Sequence, residues 1–349
     1  MADAGSTYAY LVQQSKPVVL PGAAKEWHGM GFVRRLGDAG VESLRQVPTT
    51  WRVHRKCSYA VWESDCTYVE ATFGQFQHWL EGSASEDNPF HPYDRAGHWA
   101  YADYKHIKEM ADESRGELGQ LVDWDSIGCQ KDVHDSTIWL GSEGSHTPLH
   151  YDTYGCNLVA QLHGRKQWTL FPPEDTDKLY PTRIPYEESS VFSRADLIQP
   201  DLDRFPRLAS AHPTTIVLEA GDVLYVPKHW WHFVSASEVS FSVNVWVDLP
   251  SDAMDRAREA LVRLVVTSFS HLLEENLGSQ WLNPTETVWP LDTTMEVAMS
   301  ALEALRSPPD NEGAPASEGP LHHHPVDAEA LVNALTSPTS ISQVLAHLM

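Results

Sequence analysis

The chain has 349 residues, of which 48 are acidic and 25 basic, so its formal net charge is −23. Proteins that mainly grip nucleic-acid phosphates or anionic membranes need a positive surface, and this balance argues against both classes. Hydrophobic residues make up 42% of the chain and include 13 Trp, which excludes wholesale disorder.

The N-terminus lacks the basic segment and long apolar run of a signal peptide, and no apolar stretch reaches the roughly 18 residues that a membrane span needs. The four cysteines, Cys57, Cys66, Cys129 and Cys156, are too scattered for a disulfide scaffold or a zinc module, and we expect buried thiols. We therefore expect a soluble protein in the cytoplasm, with the nucleus as a second location.

Residues 1–94 mix helix and strand signals and are predicted to pack on the following domain; FGQFQHWL (Phe73 to Leu80) has helical spacing. Within a predicted domain of residues 95–250, short β-rich runs recur from residue 136 to 248 between Gly, Pro and Asp: STIWLG, LHYD, CNLVAQLHG, KQWTLF, TTIVLEAG, DVLYVP, HFVSA and SFSVNVWV. This spacing favours a sandwich, barrel or jelly roll over alternating strands and helices. The Gly221-Asp222 pair predicts a hairpin, and the polar, Pro-rich residues 174–213 predict a long loop.

Residues 251–306 are predicted to be helical, the first helix beginning near Asp252 and ending at Gly278 and the second covering Thr294 to Arg306. Two readings of these helices are open: they pair two subunits into a homodimer, or they cover one end of the barrel. The composition of residues 307–325 predicts a flexible linker. The His322–His324 run lies in this linker and is better explained as a solvent-exposed part of it than as a metal site. A short helical tail is expected over 326–349.

One motif suggests a metal centre. His150 and Asp152 lie two residues apart in a β-rich run, so both side chains point to the same face of a strand. Of the 18 His in the chain, His150 is the only one followed two residues later by Asp or Glu. His232 comes at the head of a later strand, and two His with one carboxylate form the facial triad of non-haem Fe(II) oxygenases. The alternative is that both His are ordinary hydrogen-bonded residues of a barrel wall.

Other polar residues interrupt the same apolar runs, where an unpaired polar group is costly. Asn157 and Gln161 interrupt CNLVAQL, Lys166 opens KQWTLF, and Asn244 interrupts SFSVNVWV; Thr147 stands just before the His150 motif. A lysine inside a barrel requires an anion, which a bound dicarboxylate would supply. The competing reading places Lys166 at an exposed strand end, paired with a surface acid, and the amides in ordinary backbone hydrogen bonds.

The motifs T-P-L-H-Y-D, G-R-K-Q-W-T-L-F-P-P-E-D, G-D-V-L-Y-V-P-K-H-W-W-H and S-V-N-V-W together resemble the JmjC-domain oxygenases, in particular the asparaginyl-hydroxylase-like, cupin-type subgroup. The resemblance implies a mainly β fold with flanking helices, whose core is a double-stranded β-helix (a jelly roll) holding Fe(II) and 2-oxoglutarate and reacting with O2. It implies iron ligation by His150, Asp152 and His232. It further implies that Lys166 and Thr147 bind 2-oxoglutarate and that Asn157 and Asn244 lie near this co-substrate. Tyr101 would be a further contact of its carboxylate.

The function implied by the resemblance is hydroxylation of a protein side chain, with lysine demethylation ranked lower. The segments W-A-Y-A-D-Y-K-H and Y-G-C-N-L-V are similar to those of family members that are linked to small heat-shock proteins. The resemblance therefore implies a small heat-shock protein as a further partner and a role in a stress response. No nucleic-acid or membrane partner is expected. One alternative keeps the fold as an interaction module with little or no catalysis; another is a zinc or manganese cupin catalysing hydrolysis or isomerisation.

Overall fold

The computed structural model describes residues 4–35, 45–56, 62–110, 118–270, 281–287, 289–306, 334–335 and 337–348. The chain divides into two compact units, residues 1–249 with 283–285 and residues 250–282 with 286–349. No helix in the described ranges is long and apolar enough to cross a membrane.

The first unit consists mainly of strands, with three α-helices of defined bounds and several short 3-10 helices among its described residues. The helices are α1 (Ala4–Leu11), α2 (Phe32–Arg35) and α3 (Phe73–Glu81). The strands are β1 (Val18–Leu20), β2 (Pro48–Arg55), β3 (Thr67–Thr72), β4 (His98–His106), β5 (Thr137–Gly141), β6 (His146–Asp152), β7 (Cys156–His163), β8 (Lys166–Phe171), β9 (Pro181–Glu187), β10 (Ser190–Ser193), β11 (Thr214–Leu218), β12 (Val223–Pro227), β13 (Trp231–Ala236) and β14 (Ser240–Val247).

These strands form two antiparallel sheets. The larger has the order β1-β12-β7-β14-β5-β4-β2-β3 and the smaller the order β11-β8-β13-β6-β10-β9. Consecutive strands alternate between the sheets along β5–β8 and again along β11–β14, so that β6, β8, β11 and β13 lie in one sheet and β5, β7, β12 and β14 in the other. The expected mainly β fold with a jelly-roll core is confirmed, and the eight β-rich runs form β5–β8 and β11–β14.

Two central strands are buried on both faces, which explains their mixture of apolar and polar residues. Along β7, Leu158, Ala160 and Leu162 join the largest apolar cluster, whereas Asn157 and Val159 face a cavity between the sheets. β14 alternates in the same way. Since successive side chains of a strand point to opposite faces, a polar residue at every second position marks the cavity side.

The N-terminal segment extends the larger sheet, because β4 pairs with β5 and β2 pairs with both β4 and β3. The helix predicted from FGQFQHWL is confirmed as α3. Thr72 caps α3 by accepting a hydrogen bond from the Gln75 amide, and Gly82 ends it with a positive φ of 73°. The buried face of α3 packs against Trp51, whose ring stacks on that of Phe76 with 4.1 Å between the ring centroids.

Two local predictions are wrong. Residues 174–213 do not form one long loop, because β9 and β10 lie within them and β10 pairs with the His150 strand, β6. That pairing partner lies some forty residues earlier, so no local pattern indicates it. Gly221-Asp222 does not close a hairpin: β11 pairs with β8 and β12 with β7, so this turn carries the chain from one sheet to the other.

The second unit is helical over its described residues, with α4 (Ala253–Ser270), α5 (Leu291–Arg306) and α6 (Pro338–Leu348). α4 and α5 pack through Ala260, Leu264 and Ala298. The predicted helices over 251–306 therefore form, the second beginning at Leu291. The predicted helix end at Gly278, the linker 307–325 and the His322–His324 run lie outside the described residues, and pairing of two chains through these helices stays a prediction.

Candidate functional site

His150, Asp152 and His232 lie together inside the jelly roll. β6 and β13 are adjacent, and their register places His150 directly opposite His232, with the two ring centroids 4.2 Å apart. Asp152 lies two residues beyond His150, and its Oδ1 is 3.9 Å from His150 Nε2. One donor atom from each of the three residues lies within 4.8 Å of the others. The strand spacing noted in the sequence, together with the register of β13 on β6, thus brings three candidate ligands to one point.

Backbone carbonyls orient both imidazoles. His150 Nδ1 lies 2.8 Å from the Pro148 carbonyl oxygen, and His232 Nδ1 lies 2.9 Å from the Trp230 carbonyl oxygen. Because a carbonyl oxygen only accepts, each Nδ1 carries the proton and each Nε2 keeps its lone pair. Metal-binding histidines are commonly fixed in this way.

The protonation preferences of the triad match those of a metal site. Burial, followed by the nearby His232, lowers the pKa of His150 well below its ordinary value, so its ring stays neutral at neutral pH. Burial raises the pKa of Asp152, since a charged carboxylate is poorly solvated there. A divalent cation requires neutral imidazole and would stabilise the carboxylate, so the residues present fit an iron centre.

A chain of hydrogen bonds holds Asp152. Trp246 Nε1 donates to Asp152 Oδ2 at 3.3 Å, and the Asn157 side chain also hydrogen-bonds this carboxylate. Asn157 in turn accepts from Asn244 Nδ2 at 2.8 Å, and Asn244 accepts from Trp139 Nε1 at 2.7 Å. Asn157 and Asn244, expected from the resemblance near the co-substrate, are therefore placed where they orient the acidic member of the triad.

Lys166 is buried to 3% exposure in the same cavity, which rules out the exposed strand-end reading. Its Nζ donates to Ser242 Oγ at 2.7 Å and to Tyr101 Oη at 3.2 Å, and the Thr147 side chain hydrogen-bonds Tyr101. No carboxylate of the described residues lies within salt-bridge distance of Lys166. Burial lowers the pKa of Lys166 to about 7, and an anionic ligand is the partner that would favour its charged form.

One cavity contains the whole arrangement. Its walls include all eight site residues expected from the sequence: Tyr101, Thr147, His150, Asp152, Asn157, Lys166, His232 and Asn244. Seven further residues were not expected there: Tyr104, Trp139, Val159, Trp168, Val234, Ser242 and Trp246.

Part of that unexpected wall was visible in the sequence. The every-second-residue rule that selects Asn244 in SFSVNVWV also selects Ser242 and Trp246, which share its face of β14. Tyr104 carried no such signal, because it adopts a positive φ of 51° at a register shift in the β4–β5 pairing. A non-glycine residue in that region is held by its tertiary surroundings.

Comparison with known proteins agrees with this geometry. A family model described as a cupin-like domain matches residues 5–253. HSPB1-associated protein 1 of Homo sapiens is 47% identical over 261 residues, which cover 74% of this chain and 50% of that protein. The HSPB1-associated protein 1 homolog of Danio rerio is 40% identical over 277 residues, covering 78% and 60%.

A more distant relative is lysine-specific demethylase 8 of Xenopus tropicalis, 29% identical over 246 residues, which cover 68% of this chain and 49% of that protein. The chain thus spans about half the length of most of these relatives. The match to the family model covers well over half of the chain, and it includes every strand of both sheets. The resemblance seen in the sequence is confirmed: the chain belongs to the cupin-like JmjC domain family.

Proposed function

We propose that this protein is an Fe(II)- and 2-oxoglutarate-dependent oxygenase that hydroxylates a protein side chain. One observation carries the proposal: a two-His, one-carboxylate triad and a buried lysine without a carboxylate partner among the described residues line a single cavity. Members of the JmjC cupin family include 2-oxoglutarate oxygenases. A zinc or manganese hydrolase would use the same three ligands but would have no need of Lys166.

Each side chain has a distinct task in this proposal. His150, Asp152 and His232 would hold the iron, each through one donor atom. Lys166, with Tyr101 and Thr147 beside it, binds the distal carboxylate of 2-oxoglutarate. When bound, iron and 2-oxoglutarate supply the oxidising power that splits O2 and inserts one oxygen atom into a C–H bond, with release of succinate and CO2. Trp139, Trp168 and Val159 line the cavity with apolar surface and exclude water.

The test is succinate formation from 2-oxoglutarate with Fe(II) and ascorbate, without added substrate. We expect succinate from the wild type and none from Asp152→Ala, which removes one ligand. The matched control is Asp87→Ala, at an exposed aspartate that does not line the cavity, and it should retain wild-type turnover. If the wild type neither makes succinate nor binds Fe(II) and 2-oxoglutarate in calorimetry, the proposal is wrong.

A second proposal concerns a partner. Several relatives are named HSPB1-associated protein 1, so we propose that this chain associates with a small heat-shock protein. The association could accompany catalysis or replace it in a catalytically weak interaction protein. Binding of wild type and Asp152→Ala to a purified small heat-shock protein distinguishes these cases. Binding by both variants with no turnover in the wild type favours the interaction protein, and absence of binding refutes the association.

A further inference from the structure

A buried arginine lies behind the wall of the cavity that contains Lys166. Arg52 is 2% exposed and belongs to β2, in the larger sheet. The β2–β4 register places it directly opposite Tyr101, so both side chains project from the same face of the sheet. The guanidinium carbon of Arg52 lies 5.5 Å from the centroid of the Tyr101 ring. Tyr101 lines the cavity and Arg52 does not, so the arginine packs against this tyrosine from outside the cavity.

Contacts with both sheets fix the guanidinium of Arg52. Its Nε donates to Asp103 Oδ2 at 2.5 Å, and Asp103 lies on β4, two residues beyond Tyr101. Its Nη2 donates to the His146 carbonyl oxygen at 3.1 Å, and His146 lies on β6, in the smaller sheet. Glu63 Oε1 lies 3.8 Å from the same Nη2. The arginine therefore links β4 to β6 beside the tyrosine.

The burial of this charge requires an explanation. Removing an ion pair from water costs free energy that the attraction between its partners often fails to offset, so packed apolar residues could serve the fold as well. A guanidinium offers two things that an apolar side chain lacks: several donors in one rigid plane, and a charged face that packs on an aromatic ring. Arg52 uses its donors on Asp103 and His146 and its face on Tyr101.

The Tyr101 hydroxyl is the point at which this arrangement meets the proposed co-substrate site. It accepts a hydrogen bond from Lys166 Nζ at 3.2 Å and is hydrogen-bonded to the Thr147 side chain. On the side of the ring away from Arg52, β5 leaves no room, because a Cβ on Gly141 would lie only 2.8 Å from Tyr101 Cδ2. Arg52 and Gly141 therefore confine the ring, and the ring sets the position of the hydroxyl.

We propose that Arg52 is a positioning residue for 2-oxoglutarate: it fixes the Tyr101 hydroxyl beside Lys166 and thereby strengthens the binding of the distal carboxylate. The inference rests on the proposed oxygenase function and extends the co-substrate site beyond the cavity wall. Arg52 acts through Tyr101 and does not itself touch the co-substrate.

Calorimetry separates co-substrate binding from metal binding. Titration of Mn(II) into the metal-free protein, and of 2-oxoglutarate into the Mn(II)-loaded protein, gives both affinities without turnover. Arg52→Lys keeps the charge but replaces the planar set of donors by a single ammonium group. We expect this variant to bind 2-oxoglutarate at least about ten-fold more weakly than wild type and Mn(II) within about two-fold of wild type.

A double-mutant cycle shows whether the effect passes through Tyr101. Tyr101→Phe removes only the hydroxyl and should itself weaken 2-oxoglutarate binding. In that background Arg52→Lys should change the 2-oxoglutarate affinity by no more than about two-fold, because the group that Arg52 positions is gone. A loss of equal size in both backgrounds would mean that Arg52 supports the fold alone, and it overturns the proposal.

Two further variants complete the design. Arg55→Lys makes the same substitution at an exposed position of β2 and should bind both ligands as wild type does. Asp103→Asn removes the charge that holds Arg52 but keeps the shape of the side chain, and it should weaken 2-oxoglutarate binding several-fold. If circular dichroism shows that Arg52→Lys does not fold, the same cycle with Tyr101→Phe is carried out with Asp103→Asn.

The outcomes separate the two proposals. Wild-type affinity of the folded Arg52→Lys variant for 2-oxoglutarate overturns the positioning role and leaves the oxygenase proposal intact. Equal losses of Mn(II) and 2-oxoglutarate affinity also overturn the positioning role, since they indicate a general disturbance of the site. Failure of the wild type to bind 2-oxoglutarate overturns the oxygenase proposal and this inference with it.

Discussion

Replacing Lys166 by Met should make the ligand-free protein more stable while abolishing 2-oxoglutarate binding. Burial lowers the pKa of Lys166 from 10.5 to about 7. At pH 7 the unfolded lysine is fully protonated and the folded one about half protonated, so retaining this residue costs about 4 kcal/mol of folding free energy. Met fills a similar volume without a charge. It loses the hydrogen bonds to Tyr101 and Ser242, worth about 1 kcal/mol each, which leaves a net stabilisation of about 2 kcal/mol.

The same reasoning fixes a pH dependence. Between pH 7 and 10.5 the unfolded lysine binds more protons than the folded one, so this residue's penalty shrinks as the pH rises. From pH 7 to pH 9 it shrinks by about 2 kcal/mol. The advantage of Lys166→Met over wild type should therefore be greatest near pH 7 and should decrease toward pH 9.

Urea unfolding of both proteins at pH 7 and pH 9, without metal or co-substrate, measures the effect, and calorimetry measures 2-oxoglutarate binding. Lys108→Met, at an exposed lysine, controls for the loss of one surface charge. The reasoning is refuted if Lys166→Met is less stable than wild type at pH 7 with the same pH dependence. It is equally refuted if that variant binds 2-oxoglutarate with wild-type affinity.

Three further predictions follow from the site. Because ligand-free Lys166 loses its proton above about pH 7 and the distal carboxylate requires it, 2-oxoglutarate affinity should fall roughly five-fold from pH 7 to pH 8 in calorimetry; a flat profile would contradict this. Trp246→Phe removes the donor to Asp152 and should weaken Fe(II) affinity about ten-fold or more, with an unchanged circular dichroism spectrum. Asn283→Ala leaves Glu63 and Glu187 without its amide donor and should lower the unfolding free energy by about 1–3 kcal/mol in urea; an unchanged midpoint would show that this amide contributes nothing.

The parts of the site that the sequence predicts are those governed by local periodicity. His150 and Asp152 share a face because strands have a period of two, and Asn157, Lys166 and Asn244 stand out as polar residues in apolar runs. The same rule predicts the eight barrel strands, since each is short, apolar and bounded by turn residues. The register that sets His232 opposite His150 does not follow from periodicity alone.

The parts that could not be predicted depend on distant segments. β10 pairs with β6 on one side and with β9 on the other. No local pattern in residues 174–213 specifies β6 as the partner strand. Glu187 is anchored by Asn283, 96 residues further along the chain. The cavity that Tyr104, Glu187 and Trp246 line forms where residues of β4, β6, β9, β10 and β14 and of the turns beside them meet. Each of these features is a tertiary contact, and local propensity carries no information about it.

The cavity side of the jelly roll lowers the stability of the ligand-free protein. Burial disfavours the charged forms of Lys166 and Asp152, and it keeps His150 neutral beside His232. An iron ion would compensate Asp152 and use the neutral imidazoles, and a dicarboxylate would compensate Lys166, so each ligand removes a penalty that folding alone leaves in place. Binding to the folded state then raises stability by RT ln(1 + [L]/Kd). Two ligands that bind independently would stabilise the protein by the sum of their separate effects. If bound metal also orders the position that 2-oxoglutarate occupies, the two ligands together should stabilise the protein by more than that sum.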